Sequence, residues 1–345
     1  MAILHRYLRI IPAYLICLLF LWKILSLTGS GPAWPAVVDF GNKCDNMWRN
    51  VLFIDSFFDS IDNCMGWGWY LSNDFFLFIA CLLISPLYFI KPILLKITTI
   101  ILMIASLIVS FIIVYKGEYG LHPYTVFSGI VDNFNDDYYF KVYCRASPYF
   151  FGFLFGIFYK EYYNTLNNQE LNKETFLFKV KKVLDKHIII KLIPYVLGLF
   201  IIFFFTYYPR TYKNDPNSWS NGAVYFWLTF QRIIYVFGLN LIFLNDFLGS
   251  NDWIRKILSW KFFGIIARLS FCGYLVHLII ILRFSLSSRA SQYIKAETLN
   301  YQFFSDLSLS LIFAFILSLF VEIPFINVEN FIFRTDGNKK KIIAK

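Results

Sequence analysis

Eight stretches of roughly 20 mostly apolar residues, each the length that crosses a hydrocarbon core of about 30 Å, recur along this chain of 345 residues. They lie near 11–27, 69–90, 93–115, 145–160, 188–207, 223–245, 262–283 and 305–325. In lipid every backbone N–H and C=O must be satisfied within its own structure, which restricts such stretches to helices. The sequence therefore predicts an all-α integral membrane protein, a polytopic helix bundle of about eight transmembrane helices. Composition agrees, with 58% of residues hydrophobic, 16% charged and 21% aromatic, a share of ring surface suited to lipid and interfacial belts rather than to a soluble core. The fourth stretch is the weakest and is counted as a span on parity. Its Gly152 and Gly156 have the G-x-x-x-G spacing that lets a neighbouring helix approach closely.

Loop charges set the expected orientation. With the N-terminus inside, nineteen Lys and Arg residues fall in inside segments: Arg6 and Arg9, Lys91 and Lys96, a cluster from Lys160 to Lys191, Arg255 to Lys261, and the 334–345 tail. About half as many fall outside, where Asp55, Asp59, Asp62, Asp136 and Asp137 also sit. Both termini are thus expected in the cytoplasm, with one transmembrane domain over 1–333, a long outside loop over 28–68 and a basic tail over 334–345. The formal charge of +10 lies in short loops with no aromatic-and-basic recognition module, so nucleic acid is not an expected partner. His5, Arg6 and Arg9 precede a full-length apolar run without a small-residue cleavage site, so the first run is expected to remain as an anchor.

The outside loop carries Gly29, Gly31, Pro32 and Pro35 as turn punctuation, and Cys44 and Cys64 twenty residues apart. Of six cysteines, Cys17, Cys81 and Cys272 lie within spans and Cys144 at a span edge. One loop disulfide is the most this arithmetic supports, and two free thiols are the other outcome.

Ionisable groups inside a membrane cost about 2.5 to 3.5 kcal/mol each on insertion scales, so each needs a reason. Arg268 and Glu322 read as snorkelling toward the cytoplasmic interface. Asp74 and Arg232 either pair with each other or line a polar cavity. Tyr274 and His277 stand three apart on one helical face, where phenol and imidazole are able to bond one substrate or each other. Arg6 and Arg9 share that spacing just before Pro12. Two planar guanidinium forks on one face suit phosphate groups, but on spacing alone positive-inside anchoring is the favoured reading. No zinc spacing, P-loop or G-x-G-x-x-G fingerprint occurs.

Taken in order, the motifs resemble the acyltransferase-3 family, and within it the nose-resistant-to-fluoxetine branch. His5 through Tyr14 resembles its R-x-x-R motif with the following proline, and Gly31 through Pro35 its G-P-x-W loop. Cys44, Trp48, Asn50, Leu52, Ile54 and Phe57 fit its C-x-x-x-W-x-N-x-L-x-I-x-x-F pattern, and Cys64 through Asp74 its C-M-x-W-x-W-Y-L-A-x-D segment. Arg145 through Gly156 resembles R-x-x-P-Y-x-x-G-x-x-x-G, Arg268 through His277 resembles L-x-x-x-x-Y-L-x-H, and Glu322 through Glu329 resembles the closing E-x-P-F-x-x-x-E.

The resemblance implies transfer of an acyl group from cytoplasmic acyl-CoA, a co-substrate rather than a tightly bound cofactor, to a lipid or carbohydrate hydroxyl across the membrane. Arg6 and Arg9 are then expected to hold the CoA phosphates, and Asp74, Tyr274 and His277 to line the acceptor side as catalytic residues. Family members usually carry one or two further spans before R-x-x-R, the first bearing the general-base histidine, and this branch adds an N-terminal domain. This chain starts at R-x-x-R, and of its four histidines, with His5 and His187 cytoplasmic and His122 in an outside loop, only His277 falls in a span. Two expectations follow. One is an O-acyltransferase whose missing helices come from a fuller gene or a protein partner; the other is an inactive relative serving as a scaffold that handles lipid. The endoplasmic reticulum or plasma membrane is the expected location.

Overall fold

A computed structural model describes residues 1–59, 62–121, 133–167, 175–250, 253–290 and 295–333. His122, Lys173 and the 334–345 tail lie outside the described residues. Fifteen α-helices and no strand occur among the described residues, and they fall into two compact units. The chain opens the first unit with α1 (Ala2–Leu19) and two short helices of the outside loop, α2 (Pro35–Lys43) and α3 (Met47–Val51). The second unit, Trp69–Leu258, holds α4 (Trp69–Ile84), α5 (Leu87–Ile90), α6 (Pro92–Gly117), α7 (Val142–Asn167), α8 (Phe176–Leu184), α9 (Ile188–Tyr207), α10 (Arg210–Asn214), α11 (Asn221–Phe247) and α12 (Trp253–Leu258). The chain then returns to the first unit with α13 (Lys261–Leu286), α14 (Ala296–Leu317) and α15 (Ile323–Ile332).

The protein is a multi-pass membrane protein. Among the described residues, seven helical segments are long and apolar enough to cross a bilayer: Ala2–Leu27, Gly66–Ile90, Pro92–Gly117, Ile188–Asn214, Asn221–Phe247, Lys261–Leu286 and Ala296–Ile332. They cover seven of the eight expected spans. The remaining one falls in α7, whose 26 residues reach about 39 Å at 1.5 Å per residue, but whose apolar character is diluted by Arg145, Lys160 and Glu161. Those polar groups have partners within the second unit. Glu161 pairs with Lys96 of α6 at 2.7 Å, and Lys160 lies over the Tyr88 ring at 4.5 Å. Phe150 and Ala146 of α7 pack with Leu77 and Cys81 of α4.

The expected close approach at Gly152 and Gly156 does not occur, since a Cβ on either meets nothing within 4 Å. The intimate crossing is instead between α9 and α11. A Cβ on Gly198 would stand 2.6 Å from the Gly238 carbonyl oxygen, and one on Gly238 2.9 Å from Ile201. Two helices rich in large side chains reach backbone contact through this pair of glycines, forty residues apart in sequence, which no local spacing reveals.

In the first unit, α13 and α14 lie side by side, with Gly273 against Ala314. α1 continues through a π-helical turn, Phe20–Ile24, and a 3-10 turn, Leu25–Leu27. It packs on α13 and α15 and carries the outside loop on Tyr14 and its neighbours.

Candidate functional site

Arg6 and Arg9 sit in the first turns of α1, with Arg6 partly buried and Arg9 exposed. Next to them, His5 Nδ1 lies 2.5 Å from Glu329 Oε1, and the His5 ring packs on Phe333 with centroids 4.4 Å apart. The last glutamate of the closing motif, on α15, thus fastens to the turn that carries the arginines. The two arginines project from a helix end anchored at its base.

The loop over 28–68 is tied to α1 and α13 through a small set of buried groups. Cys44 and Cys64 form a disulfide, and both are buried. Asn50 donates to the Tyr14 hydroxyl at 3.0 Å. Phe53, fully buried, stacks on Tyr14 with centroids 5.8 Å apart and meets Tyr7 edge-on. It does so at φ +56°, a left-handed backbone state that costs a bulky residue on the order of 1–3 kcal/mol and persists only where surroundings enforce it. A Cβ on Gly68 would fall 2.1 Å from the Tyr14 hydroxyl, so this position accepts only glycine while Tyr14 stays in place. Trp67 then locks onto α13: its indole N–H donates to the Leu275 carbonyl at 3.3 Å, and the Tyr274 hydroxyl donates to the Trp67 carbonyl.

Tyr274 and His277 are brought together, with ring centroids 6.0 Å apart, but their side chains do not bond one another. His277 Nδ1 lies 2.7 Å from the Tyr274 backbone carbonyl. A carbonyl only accepts, so Nδ1 carries the proton there, which leaves Nε2 as the nitrogen with a free lone pair in the neutral ring.

An apolar cavity of about 540 Å³ opens between α1, α13 and α14. Ile16 and Phe20 line it from the α1 segment, Ile280 and Arg283 from α13, and Phe313 and Phe320 from α14 and the π turn beyond it. Tyr274 and His277 do not line it. Thr28 and Arg283 supply its polar end, and the Arg283 guanidinium lies 5.5 Å from the Trp34 ring.

Glu322 departs from the snorkelling expectation. It is only 9% exposed, and its Oε2 accepts from the Cys272 thiol at 3.2 Å and the Ser318 hydroxyl at 2.8 Å. The reason is helical register: Ser318 stands one turn earlier on the same helix, and Cys272 faces it from α13. Arg268, by contrast, is exposed.

The second unit holds the remaining predicted residues. Asp74 is partly buried in the second turn of α4, beside Asn73, which donates to the Phe140 carbonyl at 2.9 Å. Arg232 forms no ion pair with Asp74. It donates to the Cys144 carbonyl at 3.0 Å, lies over the Tyr138 ring at 4.4 Å and lines a cavity of mixed polar and apolar walls with Arg145, Gln231 and Tyr235. Phe53, Trp67 as a clamp and the Gly198–Gly238 crossing were not anticipated from sequence.

A family model described as an acyltransferase domain matches residues 1–326. This chain belongs to the acyltransferase-3 family. Among curated proteins it is similar to "Nose resistant to fluoxetine protein 6" of Caenorhabditis elegans, 27% identical over 294 residues. That likeness covers 82% of this chain and 34% of the relative, so the chain spans about a third of that protein's length. No solved structure matches. Within the acyltransferase-3 match fall both arginines of α1, the disulfide-bonded loop, Asp74, Tyr274, His277 and Glu322.

Proposed function

We propose that the protein transfers an acyl group from a cytoplasmic acyl-CoA to a hydroxyl of a lipid or carbohydrate acceptor on the luminal or extracellular side of the membrane. The observation that carries this reading is that one helix bears both a paired-arginine turn and the wall of an apolar cavity. Ile16, the first cavity residue on α1, follows Arg9 by two helical turns, about 10 Å along the axis. Phosphates held by Arg6 and Arg9 leave the acyl end of the donor within reach of an apolar space suited to its chain.

In the reaction the acceptor oxygen attacks the thioester carbon, an ester C–O bond forms, the C–S bond breaks, and the hydroxyl proton passes to a base while CoA leaves as the thiolate. His277 Nε2 is our candidate base, with Tyr274 one turn before it, and a histidine supplied from outside this chain is the other source. General-base catalysis contributes typically 10²- to 10⁴-fold. The disulfide of the outside loop supports an oxidising lumen or cell surface, hence the endoplasmic reticulum or plasma membrane.

A second reading, an inactive relative that holds lipid for a membrane complex, draws on a specific observation. The Tyr274 hydroxyl and His277 Nδ1 are both engaged by backbone carbonyls, and neither residue lines the cavity. Acyl-CoA binding and turnover by purified full chain in nanodiscs separate the two. Replacing Arg6 and Arg9 together by Ala is expected to weaken acyl-CoA binding at least tenfold with membrane insertion intact; unchanged binding would falsify the clamp. Binding that survives with no acyl transfer to any hydroxyl acceptor, with and without added histidine-bearing partner segments, leaves the scaffold reading.

A further inference from the structure

Two guanidiniums meet in a cavity of the second unit, and among the described residues no carboxylate forms an ion pair with either. The cavity, about 320 Å³, is lined by Arg145 and Pro148 of α7, Phe205 of α9, and Gln231, Arg232 and Tyr235 of α11. This is the small end of the range for ligand pockets. Arg145 Nε donates to the Tyr139 carbonyl at 2.8 Å, and Arg232 Nη1 to the Cys144 carbonyl at 3.0 Å. Each head is thereby fixed through one nitrogen, with the rest of its fork left over. Both lie against the same ring, Tyr139, at 4.1 and 5.9 Å from its centroid, so two like charges are held close together. Arg145 Nη2 is shut off from solvent and has no hydrogen-bond partner.

Ring faces and carbonyl oxygens attract guanidinium but carry no net charge, so they do not cancel the repulsion between the pair. A group with several acceptor oxygens and negative charge does both: it fills the unused N–H directions and neutralises the pair. Gln231 adds amide N–H donors and Tyr235 a hydroxyl donor at the same wall. We infer that this cavity is a binding site for a phosphate-class oxyanion held between Arg145 and Arg232. The oxyanion is either free phosphate or the phosphomonoester headgroup of an anionic lipid, which present the same oxygens. The proposal stands apart from acyl transfer and from Arg6 and Arg9, which belong to the other unit.

The test uses purified full chain in phosphatidylcholine nanodiscs, following the thermal unfolding midpoint in two arms. One arm titrates inorganic phosphate; the other replaces part of the lipid with phosphatidate. A saturable rise in the midpoint is expected, in the first arm for a soluble ligand and in the second for a headgroup. Arg145→Gln and Arg232→Gln are each expected to shift the half-saturation point at least tenfold. A rise that persists unchanged in both variants is general salt stabilisation and overturns the site, as does no rise in either arm. If a glutamine variant does not fold, Gln231→Glu leaves both guanidiniums in place and supplies a carboxylate at the wall. It is expected to raise the ligand-free midpoint and abolish the response, and a full response from it overturns the site as well.

Discussion

Two buried polar clusters, one in each unit, are accommodated in an apolar setting by different means. In the first, acids and neutral groups close on one another: Glu322 accepts hydrogen bonds from Cys272 and Ser318, Glu329 binds His5, and Asn50 binds Tyr14. In the second, Arg145 and Arg232 lean on rings and carbonyl oxygens around Tyr138 and Tyr139, although Lys96 of the same unit is paired with Glu161. The lesson lies in what remains unfilled. Where internal donors and acceptors match, the leftover space is apolar, as in the cavity of α1, α13 and α14. Where charge of one sign is left in excess, the leftover space carries that charge in its wall, which is the basis of the oxyanion proposal.

This contrast breaks most readily at Phe53. Phe53→Ala removes a fully buried ring that holds the outside loop on α1, and leaves its strained backbone in place. A loss of about 3–5 kcal/mol is expected, and hydrogen exchange locates it: protection falls in peptides of α1 and α13 and holds in α9 and α11. Equal loss in both sets of peptides means that the units do not keep separate accounts of their polar groups.

A smaller effect sharpens the same point. Glu322→Ala strands the Cys272 and Ser318 donors and is expected to cost roughly 1–3 kcal/mol, whereas Glu322→Gln, which keeps an acceptor oxygen, costs less. Thermal unfolding of the two variants beside wild type checks the ranking, and equal loss in both argues against closure by matched hydrogen bonds.

The smallest effect tests the second unit outside its spans. Burial raises the Asp185 carboxyl, but hydrogen bonds from Lys181, Ser250 and Lys191 outweigh it and hold the group below its ordinary range. A carboxyl lowered in the folded state adds stability above the ordinary carboxylate pKa, and that stability is lost as pH falls through the folded value. Protection of α8 amides is therefore expected to drop below about pH 4. In Asp185→Asn the same amides are less protected at neutral pH and no longer lose protection there, and an acid response identical to wild type removes Asp185 from the account.

Much of this was legible in sequence, because length and apolarity are properties of a segment on its own. The spans followed from that, as did the family from ordered motifs and Cys44 with Cys64 as the one cysteine pair outside the spans. What escaped depends on which faces meet. Gly152 and Gly156 have the spacing of a close crossing but face open space, while Gly198 and Gly238 make one without any local signature. Glu322 reads as an interfacial acid until Cys272 is set opposite it. Ser318, four residues earlier, was the signal available. Arg145 and Arg232 became a pair only when Tyr139 was found beneath both.

The first unit is built from the beginning and the end of the chain, with Trp69–Leu258 made in between. At about 5–20 residues per second, α1 waits roughly 12–50 s before α13 is made. The Cys44–Cys64 loop closes over a local stretch and needs no later helix, so it is able to cap α1 through Asn50 and Phe53 while translation continues. Its bonds from Trp67 then await Tyr274 and Leu275 as a ready-made dock. The order of synthesis thus lets the loop close on itself before the helices that complete its unit are made.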